Sequence, residues 1–259
     1  TVSIIVLSPL LLALLNSFKD KGEILRSALS LPSGLYLENY RIVLTESNFP
    51  RAFLNSCLVT GGGIVLNLIV SAMAGYALAR WRSRWSGFLT VFLLSSMFVP
   101  FHTIMIALLK TAKAFHLTGK LWGLILIYCG LQCPIPIFLV KGFVSTVPRE
   151  LEEAAMIDGC TPFGSFLRVI LPLASPGVMT QIIFNGLTIW NEYFMANIML
   201  TKAEKLTLPL SIANFVGQHT TNYPVLFAAL TIVTLPVVIT YVLAQKGFIE
   251  GVSAGAVKG

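Results

Sequence analysis

Apolar residues in this chain come in long blocks, and charged residues punctuate them. Residues 52–79 carry no charge until Arg80, Arg82 and Arg84 end the block together, and residues 223–245 are uncharged throughout. A helix needs about 20 apolar residues to cross a hydrocarbon core about 30 Å thick. On that measure the pattern predicts six crossings, over residues 2–18, 52–80, 86–109, 121–141, 176–200 and 223–245. The third carries His102 behind Pro100. The fourth holds Pro134 and Pro136, which kink a helix. The first is short and lacks an initiator Met, so it reads as a helix clipped at its N-terminus and not as a signal peptide. The expected fold is an all-α membrane protein: one transmembrane domain over residues 1–259 with a tail at 246–259.

Composition agrees. Apolar residues make up 56% of the chain and charged ones 11%, against about 25% charged in an ordinary globular protein. That is too little charge to coat a soluble surface, which excludes a soluble enzyme, a disordered chain and a fibrous repeat. The net charge of +7 does not indicate nucleic acid, since no basic run is interleaved with aromatics. Basic residues beside membrane segments meet anionic lipid headgroups.

Charge is spread over both sets of loops. Loops 80–87 and 141–171 with the tail hold eight Lys and Arg, while loops 19–51, 110–120 and 201–222 hold ten. The densest cluster, Arg80–Arg82–Arg84, pulls the other way, so charge alone leaves the sidedness open. Cys129 and Cys133 sit one helical turn apart, but no His or carboxylate stands near to complete a metal site. They read as small buried hydrophobes.

The segment 145–172 is too polar to span a bilayer. Pro148 suits the first position of a helix and Gly159 the turn beyond its end. Residues 150–158 between them (ELEEAAMID) read as a helix of about two and a half turns. Thr161–Pro162 then reads as the cap and first residue of a second helix. Four of the chain's eleven acids, Glu150, Glu152, Glu153 and Asp158, fall in those nine residues, whereas residues 47–149 contain none. Acids at a helix start are favoured by the helix dipole at about 0.3–1 kcal/mol each. That leaves Asp158 at the other end unexplained, along with the Ala154–Ala155 pair, which permits close backbone approach. An acidic cluster beside anionic lipid needs something basic on it. The segment therefore reads as a docking helix for a soluble partner.

Its residues carry a resemblance. Glu153-Ala154-Ala155, Asp158-Gly159 and Ile170-Leu171-Pro172 resemble the "EAA" loop of ABC importer permeases. The string from Pro148 to Gly159 resembles the version found in carbohydrate-uptake permeases of the maltose and multiple-sugar type. Ser71 to Arg80, Asn55-Ser56, Trp190-Asn191-Glu192, Leu208-Pro209 and the terminal Gly255-Ala256-Val257-Lys258-Gly259 also match that family, in its order.

The resemblance implies a type I importer permease with a coupling helix between its fourth and fifth spans. The helix would sit in a cleft of a cytoplasmic ATPase through Glu150, Glu153, Ala154, Ala155, Asp158 and Gly159, with the tail at Lys258 and Gly259 reaching the same partner. It also implies two ATPase subunits that bind ATP and Mg, a second homologous but non-identical permease, an extracytoplasmic sugar-binding protein, and a bacterial cytoplasmic membrane with both termini inside. The chain itself holds no Gly-x-x-x-x-Gly-Lys-Ser/Thr loop, so it carries no ATPase site of its own. Nothing in it indicates a cofactor or a metal.

Glu192 is the one acid bracketed by apolar residues within an expected span, and an intramembrane carboxylate is a candidate for function. With Trp190 to stack on a sugar face and Asn191 to bond hydroxyls, it marks a candidate substrate path. An interfacial Glu among belt aromatics is the plainer reading. His102 reads as a packed residue near a kink, and the glycines at 61–63 as a packing or hinge feature. The rivals are an ion-driven secondary transporter, which would need more ionisable groups in mid-span, and an ABC permease for another solute such as a glycerol phosphate ester.

Overall fold

The structure, a computed structural model, describes residues 2–81, 83–217 and 222–256, and no strand occurs among them. In chain order the helices are α1 (Val2–Ser17), α2 (Lys21–Arg26), α3 (Glu38–Arg41), α4 (Phe49–Arg80), α5 (Arg84–Ser95), α6 (Phe101–Ala114), α7 (Leu121–Gln132) and α8 (Pro134–Thr146). They continue with α9 (Glu150–Ile157), α10 (Pro162–Ser165), α11 (Leu171–Leu173), α12 (Ser175–Trp190), α13 (Phe194–Met199), α14 (Leu208–Gly217) and α15 (Tyr223–Ala256).

Among the described residues two helices are long and apolar enough to cross a bilayer, α4 and the stretch Tyr223–Val242 of α15; counting each bent helix pair as one crossing gives up to five. The apolar α1 is shorter. Several expected boundaries move. The third block does not run through residues 86–109: α5 and α6 meet at 105°. Val99 is extended before Pro100 (ψ 115°), as the clash with a proline ring requires of the preceding residue. The fourth block bends by 54° between α7 and α8, where Pro134 opens the second helix; here the proline expectation holds. The fifth does not continue to residue 200, because α12 ends at Trp190 and α13 starts anew at Phe194.

The chain forms two compact units. One comprises Val59–Thr118, Trp122–Trp190 and Tyr241–Gly259. In it α4, α8 and the turn Phe166–Ile170 close on a core of Ala72, Val140, Val144, Phe166 and Ile170. A Cβ on Gly75 would meet Val140 at 2.7 Å, so the small residue sets how closely α4 and α8 approach. At Gly62 and Gly63 an added Cβ would meet the Cδ1 tips of Ile125 and Ile189, at 2.7 Å each. α4 runs through both without a break, and both face a packed side chain.

Polar groups lie inside this unit. Asn67, Ser71, Gln181 and Asn185 are all buried. Gln181 Nε2 donates to Asn67 Oδ1 at 2.8 Å and to Ser71 Oγ at 2.7 Å, and Asn185 Nδ2 donates to Asn67 Oδ1 at 2.9 Å. Asn67 Nδ2 in turn donates to the Cys129 carbonyl at 3.2 Å and reaches Cys133 Sγ at 3.5 Å. On α5, Ser86 and Thr90 are buried while Phe88 and Phe92 are exposed. Lys141 Nζ donates to Thr90 Oγ1 at 2.7 Å. A helix with its polar side inward and its aromatic side outward suits a surround of lipid, where interhelical hydrogen bonds take the place of a hydrophobic drive.

The other unit comprises Thr1–Leu58, Gly119–Leu121 and Asn191–Thr240. The stretch after α1 is folded tightly. Asn39 Nδ2 donates to the carbonyls of Ser17 (2.8 Å) and Lys19 (2.9 Å), and the buried Lys19 donates to those of Ser27 and Ala28 at 3.2 Å. Asn55 Nδ2 donates to the carbonyls of Glu204 and Leu206, and Ser56 Oγ accepts from the Leu208 amide at 2.8 Å. The Asn55–Ser56 pair thus holds α4 to the start of α14.

Candidate functional site

Helix α9 forms where the acids fall. Glu150, Glu152 and Glu153 occupy its first turn, where free N–H groups and the dipole favour negative charge. It ends at Gly159, whose φ is +89°. The Gly159 amide donates to Met156 O at 3.1 Å and the Cys160 amide to Ala155 O at 2.9 Å, the paired closure that requires a left-handed residue. A new helix follows at once: Thr161 Oγ1 accepts from the Gly164 amide at 3.0 Å, with Pro162 in the first turn of α10.

The faces of α9 differ. Glu150, Glu153, Ala154 and Ile157, at helical spacing, are exposed, as are Leu151, Met156 and Asp158. Ile157 is 86% exposed, an acid-flanked apolar tip, and Ala155 is half-buried. Glu152 points the other way and is 8% exposed. It forms an ion pair with Arg80, the last residue of α4, through Arg80 Nε and Nη2. Tyr76 Oη donates to its other carboxylate oxygen at 2.8 Å. Arg80 Nη2 also donates to Val147 O at 3.2 Å, and Arg149 Nη2 donates to Arg80 O at 2.8 Å.

The six residues expected on the docking helix, Glu150, Glu153, Ala154, Ala155, Asp158 and Gly159, therefore share α9 and its C-terminal turn. Sequence reasoning missed their counterpart on the inner side: Glu152, Arg80, Tyr76 and Arg149. Along the sequence Glu152 is one acid among four. Its signal was the Tyr76–Arg80 spacing of four, which places both head groups on one face of α4, but no sequence rule names the acid they meet.

Trp190 is 7% exposed at the end of α12, and Asn191 is exposed. Glu192 is half-buried, and its carboxylate accepts the amides of Met195 at 2.8 Å and Ala196 at 3.1 Å. It caps α13, which gives the acid a local structural task. His102 is exposed at the start of α6, against the expectation of a packed residue, because Pro100 turns the chain there; its ring meets Phe101 edge-on at 5.6 Å. Lys258, Gly259 and His219 lie outside the described residues.

The sequence pattern of the family described as "Binding-protein-dependent transport system inner membrane component" matches residues 67–253. The chain is 37% identical over 257 residues to a "Probable starch degradation products transport system permease protein AmyC" of Thermoanaerobacterium thermosulfurigenes, covering 99% of this chain and 93% of that protein. It is 32% identical over 259 residues to a "Multiple sugar-binding transport system permease protein MsmG" of Streptococcus mutans, covering 98% and 93%. Its fold is similar to a chain in the crystal structure of a bacterial ABC transporter involved in the import of the acidic polysaccharide alginate, with a TM-score of 0.84 at 22% identity over 94% of this chain and 91% of that one. This chain belongs to the family of binding-protein-dependent transport system inner membrane components.

Proposed function

We propose that this chain is the membrane-spanning permease subunit of an ATP-driven importer that moves a sugar or oligosaccharide by alternating access. The observation that carries the reading is α9. Its inner carboxylate is tied to α4, while Glu150, Glu153, Ala154 and Ile157 form an outward face free for a partner. An acidic helix with an apolar tip fits a cleft with basic walls on a soluble ATPase. Family membership and the sugar-named relatives support the substrate class.

In this reading the chain acts as one transmembrane domain. Its six crossings are α1, α4, the bent pair α5–α6, the bent pair α7–α8, α12 and α15, with α9 and both termini on the cytoplasmic side. Two ATPase subunits hold ATP and Mg, a second, non-identical permease completes the pathway, and an extracytoplasmic binding protein delivers the sugar. The tail at Lys258–Gly259 reaches toward the ATPases. ATP-driven closure of the ATPases moves α9, which biases a two-state membrane domain. On the substrate path Trp190 and Asn191 are the stronger candidates, since Glu192 is engaged as a cap.

The test is uptake into liposomes holding the purified complex, with and without internal ATP. The panel is labelled maltotriose, raffinose, arabinotriose and sn-glycerol 3-phosphate, each presented with the binding protein. The expected result is ATP-dependent uptake of an oligosaccharide that survives a protonophore, with binding-protein-stimulated ATP hydrolysis lost in Glu153→Ala. Uptake that ignores ATP and collapses with the protonophore would establish an ion-driven carrier instead. Uptake of the glycerol phosphate alone would keep the transporter class and overturn the sugar.

A further inference from the structure

We propose that Arg80 and Glu152, assisted by Tyr76 and Arg149, are the joint through which displacement of α9 is carried into α4. This rests on the reading of α9 as a docking helix. A short surface helix on flexible ends would swivel when pushed and transmit little. Here the ties run in both directions. From α4, Tyr76 and Arg80 reach the Glu152 carboxylate, and Arg80 also reaches Val147 O. From the loop, Arg149 reaches back to the Arg80 carbonyl, where it meets an unpaired helix-end acceptor and the negative end of the dipole. Residues 147, 149 and 152 are thereby bound to the last turn of one helix.

The far side of the excursion closes on the same turn. Tyr76 packs its ring against Phe166, centroids 4.8 Å apart, so the chain is held to α4 at Val147, Arg149 and Glu152 and again at Phe166. The helix that receives this joint is 32 residues long, about 48 Å at 1.5 Å per residue. A small shift at Arg80 therefore becomes movement deep in the membrane.

Stability alone is a weak explanation for the pair. Desolvation offsets most of the Coulomb attraction of a buried ion pair, and apolar residues of similar volume often replace one at no loss. That fact supplies the test. In liposomes bearing the wild-type complex, the quantity measured is sugar transported per ATP hydrolysed, using the oligosaccharide of the panel above that wild type takes up best. The variants are Glu152→Gln, Arg80→Met, the double Arg80→Met/Glu152→Met and, as a separate control, Glu153→Ala.

If the pair is a joint, all three joint variants assemble yet lower the transport-to-hydrolysis ratio by about tenfold, the size of a typical coupling between sites. The double should be no worse than the singles, because they remove one and the same link. A merely structural pair gives the opposite result: the double regains both assembly and an unchanged ratio, which overturns the proposal. Glu153→Ala separates the two readings. If it abolishes stimulated hydrolysis while the joint variants keep the wild-type ratio, docking stands and the joint falls. If it leaves assembly and hydrolysis untouched, the docking reading fails and takes the joint with it.

Discussion

Gly159 and His116 close two helices with one hydrogen-bond pattern and different residues. After α9 the amides of Gly159 and Cys160 return to Met156 and Ala155; after α6 those of His116 and Leu117 return to Lys113 and Ala112, at 3.0 and 2.8 Å. Both pivots have positive φ, +89° for Gly159 and +55° for His116. A side chain there costs about 1–2 kcal/mol, and around Gly159 no atom beyond its chain neighbours lies within 4 Å of an added Cβ, so the local backbone bears the penalty. Gly159→Ala should therefore loosen the last turn of α9 by about 1 kcal/mol, seen as faster amide exchange at Cys160. His116→Gly should do the reverse at α6, raising stability by about 0.5–1 kcal/mol once the entropy of the new glycine is subtracted. Unchanged exchange at Cys160 in Gly159→Ala would show that the turn does not depend on glycine.

At the level of elements, α4, α7 and α12 are joined by amides and not only by packing. Asn67 Oδ1 accepts from two side chains and its Nδ2 serves α7. Truncation to alanine strands the Asn185 donor entirely, while Gln181 keeps Ser71. The cost of one buried orphan is about 1–3 kcal/mol, lowered toward about 0.6 kcal/mol where a membrane interior offers alternatives. Asn67→Ala should thus lower unfolding stability in detergent by about 1–2 kcal/mol, whereas Thr188→Ala, whose hydroxyl bonds only its own helix, should change it by less than about 0.5 kcal/mol. Equal losses in the two variants would remove the network as a source of cohesion.

For the whole molecule the open quantity is sidedness. Lys and Arg counts were nearly balanced between the two sets of loops, so the positive-inside tendency has little to act on. The orientation with α9 inside makes a direct prediction for the native thiol Cys160, half-buried in the turn after α9. In a variant keeping Cys160 as its sole cysteine, an impermeant maleimide should label inverted vesicles and not intact cells. A cysteine at the exposed Ala203 should label intact cells. Labelling of Cys160 from outside would invert the topology and remove α9 from the reach of any cytoplasmic ATPase.

The membrane class, the rough position of the apolar helices and the short acidic helix with its glycine stop were legible in the chain. They depend on local properties: apolar length, proline and glycine placement, and acids at a helix start. The break at Pro100 was half legible, since a proline marks where a helix can fail but not by how much it turns. Folding alone revealed that Gly75 is a point of helix contact, which residues Gly62 and Gly63 meet, and that Glu152 faces inward while Glu150 and Glu153 face out. Each of these depends on which distant residue arrives opposite, Arg80 for Glu152 and Val140 for Gly75. Four acids within nine residues look alike along a sequence; a partner 72 positions away makes one of them different.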